Sequence, residues 1–101
     1  MKKAAKKKAL QHVVIRSYSS GVFAGDLVSV CQSGAGRQRV VMNGSRRFWK
    51  WVARDGIALS GLAAHGAKVA ECKIDTAIDG HTIDDVIEII PTSKAAQETL
   101  R

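Results

Sequence analysis

The chain has 101 residues, 46% of them apolar and 25% charged, and carries a net charge of +7. That length makes one domain at most, and the balance is that of a folded protein rather than a disordered one. No apolar run approaches the ~20 residues that cross a bilayer and no signal-peptide core follows the first lysines; with two cysteines, too few for a disulfide scaffold or a tetrahedral zinc site, a membrane span, a secreted scaffold and a large multi-substrate enzyme are excluded.

In chain order, the first feature is a lysine run. Lys2, Lys3, Lys6, Lys7 and Lys8 stand without an acid, so residues 1–10 read as a basic flexible tail. Residues 11–101 then form a single α+β domain. Within it the charge divides again: residues 9–54 hold seven cations against Asp26 alone, and residues 55–101 hold eight acids against four cations.

His12 to Tyr18 reads as a strand on its β-branched Val13, Val14 and Ile15. After Ser19-Ser20-Gly21, a turn signal, Val22 to Gln32 is a second strand, with Gly25 marking a bulge or a close backbone approach. Ser33-Gly34-Ala35-Gly36 is a flexible hairpin loop, since a phosphate cradle would be followed by a helix and not a strand. Arg37 to Asn43 is a third strand, and Asn43-Gly44 is the strongest hairpin signal in the chain. Ser45 to Val52 is a fourth, whose period of two puts Arg47, Trp49 and Trp51 on one face and Arg46, Phe48 and Lys50 on the other.

Ile57 to His65 reads as a short helix stopped by Gly66, and Ala67 to Ile74 as a strand by its alternation. Asp79-Gly80 is a turn, Asp85 to Ile90 the last strand, and Thr92 or Ser93 caps a closing helix over Lys94 to Leu100. The expected fold is therefore α+β: a small bent antiparallel sheet or half-open barrel of about six strands, with two short helices. So small a core points to a homo-oligomer.

The candidate chemistry sits in one place. Residues 43–51 hold both tryptophans, one of the two phenylalanines and three cations, although the whole chain has only five aromatic residues. Indoles stack on bases and guanidinium groups fork onto phosphates. Arg16, Tyr18, Arg46, Arg47, Trp49 and Trp51 are accordingly the candidate ligand-binding residues. Arg16 and Tyr18 would join the others if the first and fourth strands lie near one another or meet across a subunit boundary. The competing use of these residues is structural, with the indoles in the core and the arginines covering their edges.

The three histidines and two cysteines show no metal-ligand spacing, and Cys31 and Cys72 fall in strand patterns as small buried thiols. Asp84 and Asp85 are adjacent, so on a strand they face opposite ways and make no acid–base dyad. No nucleophile turn occurs either. The sequence calls for no cofactor and no catalytic residue, and the expected protein is not an enzyme.

The stretches VVIRSYSSGVFAGDLVS, VVMNGSRRFWKWVA, ALSGLAAHG and VIEIIP together resemble a family of small tailed-phage and prophage proteins of unknown function, with the pattern RxxSxGVFAGxL, RRxWxW and IEIIP. The resemblance implies phage origin and the host bacterial cytoplasm, and no mechanism. In that setting the expected function is a phage-encoded non-enzymatic binding protein, an anti-defence sponge that sequesters a nucleotide-type immune signal such as a cyclic nucleotide or an ADP-ribose-type molecule. The alternatives are an inhibitor or assembly factor that binds a host or virion protein, and a basic accessory protein that touches nucleic acid weakly through its lysine tail.

Overall fold

The computed structural model describes residues 10–32, 37–54 and 58–101. The lysine run of residues 2–8 and the loop at residues 33–36 lie outside the described residues. The fold is α+β, a bent antiparallel sheet with two short helices, as the pattern predicts. Its strands are β1 (His12–Ser17), β2 (Gly21–Gln32), β3 (Gln38–Lys50), β4 (Lys73–Ile74) and β5 (His81–Pro91); its helices are α1 (Leu59–His65) and α2 (Lys94–Leu100).

Strands β1, β2, β3 and β5 close into a ring, because β3 pairs with β2 along one edge and with β5 along the other. The ring is not a regular barrel. β4 adds to the far end of β3, where β5 no longer follows it. Strand β1 shows how the alternation of side chains builds two cores at once. Val13 and Ile15 turn into the ring with Phe23, Val40, Met42, Ile83 and Val86. Val14 turns outward with Val22, Ala24 and Phe48, and these carry Leu59, Leu62, Ala96 and Leu100 of the helices. Its apolar run is continuous because both faces are covered.

The described residues form five strands where about six are expected, and the difference falls at Asn43-Gly44. That dipeptide makes no hairpin. Gly44 has the positive φ of 58° that a tight turn would use, but it spends it on a bulge inside one long strand. Asp26 pairs with Asn43 and Ala24 with Arg46, so Gly44 and Ser45 oppose Gly25 alone. A Cβ on Gly25 would lie 2.9 Å from the Asn43 carbonyl oxygen and 3.0 Å from the Ser45 Cα, which confirms the close approach expected at that glycine. The bulge is tied from outside: Gly80 N–H donates to Asn43 Oδ1 at 2.9 Å and Gly44 N–H to Asp79 Oδ1 at 2.7 Å.

The strand expected over Ala67–Ile74 is also corrected. It is an isolated bridge at Ala67, a 3-10 turn over Val69–Glu71 and the two-residue β4. Cys31 is exposed and Cys72 half-buried, so neither is the sealed core thiol expected. The helix ends agree with their signals: Gly66 takes φ 92° after α1, and the Ser93 hydroxyl accepts from the Ala96 N–H at the start of α2.

Candidate functional site

The six candidate residues do not converge on one site. β1 and β3 sit across the ring from each other, with β2 on one side and β5 on the other, so the Arg16 and Tyr18 segment cannot join the tryptophan segment within one chain. Arg16 lies 3.8 Å from its cross-strand partner Glu88. Tyr18, 83% exposed, lines a groove of about 550 Å³ with Arg37, Gln38, Asp85, Val86 and Ile87. Arg46 is on the outer face with Ala24 and is engaged by backbone: its Nε donates to the Asp75 carbonyl at 3.1 Å and its Nη1 to the Arg101 carbonyl at 2.8 Å. Arg101 in turn pairs with Asp26: its Nη1 donates to Oδ2 at 3.0 Å and its Nη2 stands 3.0 Å from Oδ1. Arg46 is thus a brace between the end of α2 and the sheet.

Trp51 departs from its expected face. β3 ends at Lys50, and its register with β4 shifts between Phe48 and Lys50. Past that point the period of two no longer applies, and Trp51 packs half-buried against the helix-side core that holds Phe48. The structural use of an indole is realised at Trp51 alone.

Arg47 and Trp49 do lie together. Arg47 pairs with Phe23 across the β2–β3 ladder and so points to the ring side. Its guanidinium carbon stands 4.9 Å from the Phe23 ring centre and 5.0 Å from that of Trp49, a cation held between two aromatic faces. Its Nε is buried with no hydrogen-bond partner among the described residues, and the side chain borders a cleft of about 130 Å³ with Ser45, Asp75, Thr76, Ile78 and His81. Such a cleft has room for a few atoms only. The Ser45 hydroxyl lies 3.0 Å from His81 Nδ1, but Ser45 is 1% exposed and both its backbone groups pair with Ile78. That contact ties the bulge to β5 and offers no accessible nucleophile.

Trp49 is 62% exposed and lines a second groove, of about 610 Å³, with Lys50, Ala70, Glu71, Cys72 and Lys73. The expected faces put Lys50 away from Trp49; the end of the strand brings both to one groove. Lys50 and Lys73 are direct cross-strand partners, and like charges placed so oppose pairing. Among the described residues neither lysine has a carboxylate within ion-pair distance. Sequence reasoning missed Lys73, because nothing local in the strand read over Ala67–Ile74 shows that this lysine pairs with Lys50.

Arg39 of β3 and Arg37 just before it are matched. Arg39 Nε donates to Asp84 at 2.7 Å and Arg37 Nη1 to Asp85 at 3.0 Å; the hydrogen bond and charge of Asp84 raise the Arg39 pKa above its ordinary value. Asp84 and Asp85 both sit in a bulge opposite Arg39, with Asp85 at φ 56°. Away from both grooves, His12 is 3% exposed and lies 2.7 Å from the Thr92 hydroxyl. Burial first, then the Arg101 charge, lowers its pKa to about 4, against the opposing pull of Asp26.

Fold and site together define a small α+β domain: a four-stranded antiparallel ring flanked by two helices, with an exposed indole among lysines where β4 joins the end of β3. The chain belongs to the DUF6948 family, a domain of unknown function whose profile matches residues 10–100. No curated protein and no solved structure shows significant similarity to it.

Proposed function

We propose that the protein is a non-enzymatic binder of a small, flat, anionic ligand of nucleotide type, held in the groove of Trp49, Lys50 and Lys73. One observation carries this reading. Two lysines face each other across β3 and β4 beside an exposed indole, with no carboxylate of the described residues paired to them. The arrangement costs the free protein stability and is relieved when an anion enters between the charges. The indole supplies the stacking face, and a groove of about 610 Å³ falls within the range of small-ligand sites. Arg47 serves from behind, its guanidinium lying between the indole and the Phe23 ring.

In the phage setting that the sequence resemblance implies, this binder acts in the host bacterial cytoplasm as a sponge for a nucleotide immune signal. The test is a thermal-shift panel of cyclic dinucleotides, cyclic ADP-ribose isomers and ADP-ribose, run on the native protein and on Trp49→Ala. A ligand raises the native melting temperature by mass action, the variant shows little shift, and heating releases the ligand chemically intact. No shift with any of the panel overturns the proposal; release of a cleaved product makes the protein an enzyme instead.

A second reading has its own support. From Val28 to Gln32, β2 pairs with β3 on one edge and with no described residue on the other, and the stretch carries no charge. An uncharged free edge is a template for strand addition by a protein partner or a second copy. A lysine at Ser29 would oppose such pairing, and the position lies outside the residues that line the nucleotide groove.

A further inference from the structure

Resting on the nucleotide reading of the Trp49 groove, we infer that the groove selects a guanine-type base and that Glu71 is the residue that reads it. The groove is lined by Trp49, Lys50, Ala70, Glu71, Cys72 and Lys73. Arg47 already covers one face of the indole, its guanidinium carbon 5.0 Å from the ring centre. A ligand ring therefore stacks on the other, solvent-facing side. Lys50 and Lys73 offer only donors, which suits phosphate oxygens. Cys72 offers nothing to a ligand, since its Sγ lies 3.3 Å from the Lys68 carbonyl and 3.4 Å from the Val52 N–H.

Glu71 is the anomaly. A carboxylate in a groove for an anion repels it unless the ligand also brings hydrogen-bond donors. Its position is built: the 3-10 turn Val69–Glu71 is closed by Glu71 N–H to the Lys68 carbonyl at 2.8 Å and by Cys72 N–H to the Val69 carbonyl at 3.0 Å. Glu71 also stays unpaired with the lysines that share its groove. Three charges kept apart in one groove address different parts of one ligand: the lysines its phosphate, the carboxylate its base.

A carboxylate accepts through two oxygens and donates nothing. Guanine matches it, because its ring N–H and exocyclic amino group are adjacent donors on one edge. Adenine and cytosine set their amino group beside an acceptor, and uracil and hypoxanthine present a single N–H beside a carbonyl. A site built to receive a donor rejects the analogue that lacks it, because its own acceptor is left unmatched.

The experiment titrates GMP, IMP and AMP to millimolar concentration against tryptophan fluorescence, with Trp49→Phe identifying the quenched indole. Each probe carries one base and one phosphate. The expected result is GMP binding at least about tenfold more tightly than IMP or AMP, with the preference lost in Glu71→Gln while that variant still melts as the native protein does. Equal binding of the three overturns the selectivity and leaves the nucleotide reading standing. A Glu71→Gln variant that tightens all three alike also overturns it, since the carboxylate then only repels phosphate. Quenching by none of them overturns the inference too, and with no thermal shift from the cyclic-nucleotide and ADP-ribose panel it sinks the nucleotide reading itself.

Discussion

The Tyr18 groove and the Trp49 groove differ less in their parts than in their charge balance. Each sets an exposed aromatic ring beside positive charge, Arg37 in one and Lys50 and Lys73 in the other, around a space of about 550 or 610 Å³. At Tyr18 the cations are spent: Arg37 meets Asp85 at 3.0 Å and, beside it, Arg39 meets Asp84 at 2.7 Å. At Trp49 they are not, because Lys50 meets Lys73. The cause is strand pairing. The first half of β3 lies against the acidic β5 and is neutralised, whereas its second half lies against β4, whose charge is the same as its own. An aromatic ring beside a cation is thus a weak signal alone. What distinguishes the two grooves is whether the chain supplies its own counterion.

The sharpest test of that contrast removes the floor beneath one groove. Phe23 is fully buried inside the ring and carries Arg47 on its face. Phe23→Ala should cost about 3–5 kcal/mol of stability in urea unfolding, whereas Tyr18→Ala, at an exposed ring, should stay within about 0.5 kcal/mol. Comparable losses would mean that the Tyr18 groove is as much part of the core as the Trp49 groove.

His12 gives a control remote from both. Its pKa is lowered from 6.5 to about 4, so between those values the unfolded chain takes up a proton that the folded one refuses. Its contribution is full above pH 6.5, declines as pH falls toward 4 and is then constant, up to about 3 kcal/mol in all. His12→Asn should flatten the stability profile in that window and leave ligand binding at either groove unchanged. A slope that survives the substitution assigns the acid sensitivity to other groups.

Next in size is the binding contrast itself. Trp49→Ala should weaken the nucleotide ligand by about 1–3 kcal/mol, the range for one stacked base, or roughly 5- to 150-fold. Tyr18→Ala should not weaken it at all. Lys73→Ala should reduce the slope of affinity against salt on a logarithmic plot by about one charge. If Tyr18 rather than Trp49 proves the sensitive ring, the missing counterion was a false guide.

Local signals in the sequence were reliable where their partners are local. Gly66 ends α1, Ser93 caps α2, and Ala96 and Leu100, four residues apart, give α2 its buried face. Gly25 was legible because a glycine inside a strand pattern marks a bulge or a close backbone approach. Asn43-Gly44 was not, since the same positive φ serves a hairpin or a bulge. The choice was made by Asp79 and Gly80, some 35 residues on. The site failed in the same way. Nothing near Arg39 shows that Asp84 will neutralise it, or near Arg46 that the Asp75 and Arg101 carbonyls will hold it. The aromatic and cationic makeup of the site was visible in residues 43–51; the division into used and unused cations is a property of long-range register.

The smallest expected effect tests the paired side. Asp85 combines a pair with Arg37, whose side chain is 63% exposed, with a left-handed backbone at φ 56°. Asparagine tolerates that conformation as aspartate does, whereas alanine would add a backbone penalty. Asp85→Asn therefore isolates the charge. The loss should be below about 1 kcal/mol, as for exposed pairs generally, and should shrink further as salt is raised. Nucleotide affinity at Trp49 should not move, because the freed Arg37 lines the other groove. The informative failure is a gain: if freeing Arg37 creates nucleotide binding at Tyr18, then the pairing of Arg37 with Asp85 alone had kept that groove closed to anions.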